Sequence, residues 1–304
     1  MTQPAQHAPF IARFPIYTAA FCARESVLVL AGGGGPARSG VANGCLLLHL
    51  DAARAQLLPI GELCTGAEAV MASDVLSSTG TGTGRGTVVA LGVNDRCWLA
   101  ELSVEGGADG LRATLRLARS IQADFSATDD GYLRFLRFSH DPAAPSLLVG
   151  GSEGRAREWT VPELRLLRTL DPGTVDAGHA RADAPDELVD GDLRVLPELG
   201  LSLAAVATSA ALFVKLRAEP LRAIPPPLPG YAFRHVRVLA GASSAAPPGL
   251  LAVLNPARKG ARPVVCLLCP SSGRLLLPPL HLPRPRNVTA LAIHPARIAF
   301  GFAD

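Results

Sequence analysis

The sequence predicts an all-β protein, and three observations predict it. Apolar runs of strand length follow one another at short spacing, with clusters of Gly, Pro, Asn and Ser between them;. No stretch shows a long helical period;. Residues 133–165, LRFLRFSHDPAAPSLLVGGSEGRAREWTVPELR, follow the order of one propeller blade: a strand, His140 and Asp141, a second strand over residues 147–151, a turn at 152–154, and a strand closing at Trp159. Four strands per blade at a period of about 40 to 45 residues is the WD-repeat signature, although the closing pair here is Glu158–Trp159 and not Trp–Asp. A propeller also explains how so many strands avoid exposed edges. The expected architecture is a WD-repeat β-propeller in which residues 1–304 form a single domain.

In chain order, residues 13–21, 26–30 and 45–50 read as strands, then 67–75 and 86–92, with a low-complexity loop between these two at 77–86. Residues 97–104 and 111–119 follow, the latter alternating apolar and polar as a half-buried strand does;. After the blade at 133–165, residues 171–190 are acidic with Pro, Gly and Ala, and read as an exposed inter-blade loop. DLRVLPELGLSLAAVATSAALFVKL repeats strand, turn, strand, turn, strand. PPPLP at 225–229 reads as a rigid connector before a polyproline ligand;. Strands follow at 234–239, 250–255 and 264–269, and NVTALAIHPARIAFGFAD reads as the start of another blade.

Composition narrows the function classes. Of 304 residues 48% are apolar, ample for a core. A net charge of +3 with 18% charged residues and no basic block gives no support to nucleic-acid binding;. Cys266 and Cys269 match C-x-x-C, but no second pair or His cluster completes a zinc site, so the cysteines read as buried free thiols of a cytosol-facing domain;. The N-terminus has no apolar signal region, and the most apolar run, residues 199–214, is shorter than the ~20 residues a bilayer requires;. No grouping of Ser, His and Asp supports covalent catalysis: His140–Asp141 reads as a turn pair, and His7, His179, His281 and His294 lie in termini, loops or beside Pro.

The stretch that invites a function is VLVLAGGGGPARSGVANGCLLLHL, residues 27–50: two apolar strands around a loop that begins with four consecutive glycines. A loop without a role is one reading, since loops tolerate glycine. A dinucleotide turn is a second, because Gly32, Gly34 and Ala37 fit G-x-G-x-x-G/A and Asp51 stands near the ~20-residue offset;. It fails on length, since a parallel crossover needs a dozen or more residues, usually a helix, and a new strand begins after Gly44;. A phosphate-binding P-loop fails because no Lys follows the glycines;. The fourth is a cation site lined by main-chain carbonyls, which can replace the hydration shell of potassium.

AGGGGPARSGVAN is similar to the AGGGG-x-x-x-x-G-[IV]-x-N signature of the endoplasmic-reticulum guanine-nucleotide exchange factors for the small GTPase that starts COPII coat assembly, the prolactin regulatory element-binding protein family. FPIYTAAF, residues 14–21, resembles that family's first strand. Gly150, Gly151, Glu153, Gly154, Arg157, Trp159, Pro162 and Leu164 fill its G-G-x-[DE]-G-x-x-R-x-W-x-x-P-x-L pattern. The resemblance implies a seven-bladed propeller that continues past Asp304 to a C-terminal membrane anchor absent from this chain;. On that reading the propeller is incomplete at its C-terminal end, and an open ring is expected to be marginally stable or aggregation-prone.

The resemblance also implies roles. Carbonyls of Gly32, Gly33, Gly34 and Gly35 would wrap a potassium ion, Val41 would present an apolar side chain to the GTPase, Asn43 would contact the partner or the loop backbone, and Gly40 would hold a position a Cβ would block. The family often has Ile and Pro where this chain has Val41 and Ala42; the missing methylene is worth roughly 0.8 kcal/mol if buried;. Without the signature, Asn43 reads as a turn former before Gly44;. The implied location is the cytosolic face of the endoplasmic reticulum, with this chain alone soluble in the cytosol. A WD-type protein-interaction scaffold without exchange activity is the alternative, and an NAD-dependent enzyme a distant third.

Overall fold

The structure is a computed structural model that describes residues 10–35, 40–77, 86–107, 110–126, 131–141, 143–175, 187–196, 200–216, 219–240, 247–294 and 297–303. The regular structure of the described residues is almost entirely strand, in antiparallel sheets whose strands follow sequence order. The chain divides into two compact units, Met1–Leu136 and Arg137–Asp304.

The first unit holds two complete four-stranded sheets. Sheet one is β1 (Ile16–Cys22), β2 (Val27–Gly32), β3 (Gly44–Asp51) and β4 (Gln56–Cys64). Sheet two is β5 (Val70–Leu76), β6 (Thr87–Val93), β7 (Arg96–Gly107) and β8 (Gly110–Gln122). Val, Leu, Ala and Cys at alternate positions of β1 to β3 and β5 to β7 interlock in one buried cluster that includes Val27, Val29, Ala31, Leu47, Val89, Leu91 and Val93. This is the period-two pattern of strands packed face to face. The hairpin of β7 and β8 outruns seven-residue β6, and its far end leans on β4: a Cβ at Gly61 would lie 2.0 Å from the Ala113 carbonyl oxygen.

The remaining sheets open with one of β9 (Leu133–Phe138), β10 (Ser146–Gly151), β11 (Ala156–Thr160) and β12 (Leu166–Leu170), each strand paired with the next. Then come β13 (Leu188–Leu196), β14 (Leu201–Thr208), β15 (Leu212–Leu216) and β16 (Arg222–Ile224), followed by β17 (Tyr231–Leu239), β18 (Gly249–Pro256), β19 (Val264–Leu268) and β20 (Leu280–His281). β21 (Val288–His294) and β22 (Arg297–Phe302) form a two-stranded sheet. A second core joins Leu203, Leu212, Phe233, Val236, Leu250 and Leu254, and a third joins Leu251, Val253, Val288 and Leu291. In β1, β5, β13, β17 and β21, each the first strand of its sheet, the pairing register skips one residue near the start. The same irregularity at the same place marks the sheets as copies of one plan, and the fold is of the WD-repeat β-propeller class. No helix among the described residues is long and apolar enough to cross a membrane.

Several expectations change in detail. The acidic stretch does not run exposed to residue 190: Leu188 and Asp190 are buried in β13, and only Pro172–Thr174 forms a short 3-10 turn, capped by Asp171. Residues 176–186 of that stretch, and 78–85 of the low-complexity loop, lie outside the described residues. The PPPLP connector bends, and Leu228 packs against the second core. His140 lies between β9 and β10 at φ 54°, and Asp141 accepts from the Ala143 amide.

Candidate functional site

The glycine loop leaves sheet one where all four strands end in register: Ile16, Gly32, Gly44 and Cys64 pair in a row across β1 to β4. Three connections emerge at that end, namely the segment before β1, the β2–β3 loop and the turn from β4 to β5. The outer two hold the middle one. Gly33 N–H donates to the Pro15 carbonyl at 3.1 Å, and Thr65 N–H donates to the Asn43 carbonyl at 3.1 Å.

The glycines serve different purposes. Gly32 is a ladder residue, and a Cβ there would lie 1.9 Å from the Pro15 carbonyl oxygen, so only glycine lets the chain before β1 pass. At Gly33, φ is +143° and a Cβ would lie 2.1 Å from Asn43 Oδ1. Gly35 and Gly40 adopt φ of +72° and +74°, with nothing among the described residues within 4 Å of where a Cβ would stand. Their need for glycine is conformational, since L-residues disfavour this left-handed region. Among the described residues, nothing would meet a Cβ at Gly40. Gly34 is half-buried, and residues 36–39 lie outside the described residues.

Asn43 is the organising side chain. It is 5% exposed and uses both ends of its amide. Oδ1 accepts from Gly35 N–H at 2.9 Å, while Nδ2 donates to the Gly35 carbonyl at 3.2 Å and to the Gly66 carbonyl at 3.1 Å. The two bonds to Gly35 imitate a backbone pair and close the loop on itself. The third ties it to the β4–β5 turn, which Thr65 braces by donating its hydroxyl to the Glu68 carbonyl at 2.6 Å. Asn43 thus does more than form an Asn-Gly turn, since Gly44 already belongs to β3. With Asn43 turned inward, Gly40 and Ala42 are exposed and Val41 half-buried.

Main-chain carbonyls are suitable donors for a potassium ion. Two of them, on Gly35 and Gly66, lie within hydrogen-bond reach of the single atom Asn43 Nδ2, and each carbonyl has a second lone pair;. In this structure those two carbonyls converge on the Asn43 amide nitrogen. Pro15, Thr65 and Gly66 were not signalled by the sequence as members of this site.

Over 179 residues the chain is 27% identical to the guanine nucleotide-exchange factor SEC12 of Rattus norvegicus. That match covers 50% of this chain and 42% of the rat protein, so the matched region is less than half of the relative's length. No family model matches the chain. Among solved structures, Sqt1 from Chaetomium thermophilum superposes with a TM-score of 0.60 at 16% identity, over 95% of this chain and 67% of that one. The same protein bound to the N-terminus of the ribosomal protein L10 gives 0.61 at 15% identity, over 95% and 70%. At such identities the likeness establishes the fold alone.

Proposed function

We propose that this protein is a guanine-nucleotide exchange factor for the small GTPase of the COPII coat, acting through the β2–β3 loop. The observation that carries the reading is the loop's construction: a glycine chain closed by one buried amide, with Gly40 and Ala42 exposed and Val41 half-buried. The likeness to SEC12 supplies the class of partner. By the same likeness, the proposed seat of action is the cytosolic face of the endoplasmic reticulum.

Exchange requires no bond-breaking residue. A protein that binds the nucleotide-free GTPase more tightly than the loaded form weakens nucleotide binding by the same factor. Each tenfold loss of nucleotide affinity requires about 1.4 kcal/mol of differential contact. Val41 supplies apolar contact, Gly40 sets the left-handed bend that presents it, and Asn43 holds the frame from beneath. A loop already closed on itself loses less conformational freedom on docking than an open one. In this proposal the carbonyls of Gly32, Gly33, Gly34 and Gly35 hold a potassium ion. That ion, when bound, supplies further rigidity to the same frame.

The test is release of a fluorescent GDP analogue from the COPII GTPase of the same organism. The wild-type chain accelerates release, and Asn43→Ala slows it without unfolding the domain. Exchanging potassium for sodium slows release if the ion belongs to the loop, and equal rates in the two salts remove the ion. A wild-type chain that binds the GTPase without accelerating release leaves the scaffold reading in its place.

A further inference from the structure

Asn43 does not act within its own loop alone, because one of its three amide contacts is to the Gly66 carbonyl, 23 residues onward in the turn between β4 and β5. The return contact runs through the main chain, with Thr65 N–H donating to the Asn43 carbonyl at 3.1 Å. We infer that the turn of residues 65–68 is part of the loop's working machinery, with Thr65 and Gly66 as positioning residues that act through Asn43. This rests on the exchange-factor reading and extends it to a second segment that carries none of the glycine signature.

Three features make the turn suited to the role. Gly66 sits at φ +74° with nothing within 4 Å of a would-be Cβ, so the residue is chosen for the backbone angle that aims its carbonyl. The side chain of Thr65 is buried under the turn and donates its hydroxyl to the Glu68 carbonyl at 2.6 Å, which fixes the curvature that brings residue 66 under Asn43. Gly66 and Ala67 themselves are exposed beside the loop. The row of pairs from Ile16 to Cys64 sets all three connections at one end of the sheet, so a partner resting on residues 40–42 meets the turn as well. If the turn relaxes, the Gly66 carbonyl withdraws, Asn43 loses one of its two acceptors, and the amide is free to turn away from Gly35.

Thr65→Val keeps the branched shape and removes the hydroxyl, whereas Thr65→Ser keeps the hydroxyl. Nucleotide release from the GTPase, measured over a range of exchange-factor concentrations, separates weaker docking from a slower maximal rate. Thr65→Val lowers the maximal rate about threefold to tenfold, the span of one or two neutral hydrogen bonds, and Thr65→Ser restores it. Hydrogen exchange at the Gly35 amide, read without any GTPase, quickens in Thr65→Val and in Asn43→Ala alike. If Asn43→Ala slows release but Thr65→Val changes neither release nor Gly35 exchange, the inference is overturned while the exchange-factor reading stands. If the wild-type chain releases no nucleotide yet Thr65→Val still quickens exchange at Gly35, the coupling of turn to loop holds and the exchange-factor reading fails.

Discussion

Asp190 is a carboxylate buried among cations, and removing it should destabilise the second unit more than almost any other single polar change. It lies in β13 and is 3% exposed. Arg137 of β9 donates to Oδ1 at 3.1 Å; on Oδ2 converge Arg237 at 2.5 Å, the Val236 amide at 3.2 Å and His235 Nδ1 at 3.2 Å. One side chain therefore joins the first strands of three successive sheets. Asp190 and His235 are each the residue just after the skipped position of their strands, so the repeated irregularity is what turns both inward;. Asp190→Ala leaves two guanidinium groups, themselves mostly buried, without their shared anion, and strips the Val236 amide of an acceptor. Breaking a buried ion pair from one side costs about 3–5 kcal/mol. At a slope of about 2–3 kcal/mol per molar urea, the unfolding midpoint falls by about 1–2 M.

The pH dependence adds a second reading of the same group. Burial pushes the Asp190 carboxyl up, but Arg237 and Arg137, with the His235 hydrogen bond, outweigh it and hold the group well below the usual carboxylate range. A depressed folded value stabilises above the unfolded pKa of about 3.9 and is lost as pH falls through the folded value. The deficit of Asp190→Asn relative to wild type should therefore be constant at neutral pH and shrink below about pH 4. Asp192, two residues on, runs the other way: burial raises it, and Arg237, Arg194, Arg137 and the Val238 amide offset this only in part. Its contribution is greatest in acid and lost as pH rises through its raised value, so Asp192→Asn should lose little at neutral pH or gain. Urea titrations of the three variants at several pH values check all of this. A midpoint shift for Asp190→Ala below about 0.3 M, less than 1 kcal/mol at that slope, would refute the reasoning.

Two further outcomes follow from the geometry. Gly33→Ala should lower the unfolding midpoint and slow nucleotide release together, because its Cβ meets the pinned Asn43 amide, whereas Gly40→Ala, which meets nothing within 4 Å, should show only the left-handed strain of about 1–2 kcal/mol in the loop;. Thermal unfolding beside the release assay separates them, and equal effects at both positions would contradict the assigned roles. Alkylation at neutral pH followed by peptide mapping should mark Cys269 first, since hydrogen bonds with Ser271 and Ser272 bring its thiol down to about 7. Cys45 and Cys97, pushed up to about 12 by burial, should react only on unfolding, and early labelling of either would show that the first core opens readily.

The inner strands were legible because their residues announce burial: VLVLAG and CLLLHL carry Val and Leu through every position the core needs. The outermost strands were not. β4 carries Pro59 and is half-exposed along its length, while β16 and β20 span three and two residues, too short for any alternation to register. β12 reads LLRTL, with Leu166 and Leu167 facing solvent, which blurs the two-residue period. Asp190 was read as part of a loop because a charged residue in an acidic run looks solvated; its partners Arg137, His235 and Arg237 stand about fifty residues away on either side, and only the packing of sheets brings them together. Within the site, the glycine run and Asn43 stood out in the sequence, but the division of labour among the glycines did not. It depends on the Pro15 carbonyl and on the Gly66 turn, neither of which has a side chain to betray it.

The long hairpin of β7 and β8 bears on the proposed action of the glycine loop. Prising a ligand from another protein needs a stiff backing, and a single four-stranded sheet flexes along its twist. Here β8 reaches past its own sheet and rests backbone against backbone on β4, at a spot where Gly61 alone permits the approach. The strand that ends beneath the Thr65 turn is thereby shored up from behind. The first two sheets are thus joined twice, through their shared apolar cluster and through this backbone contact at Gly61.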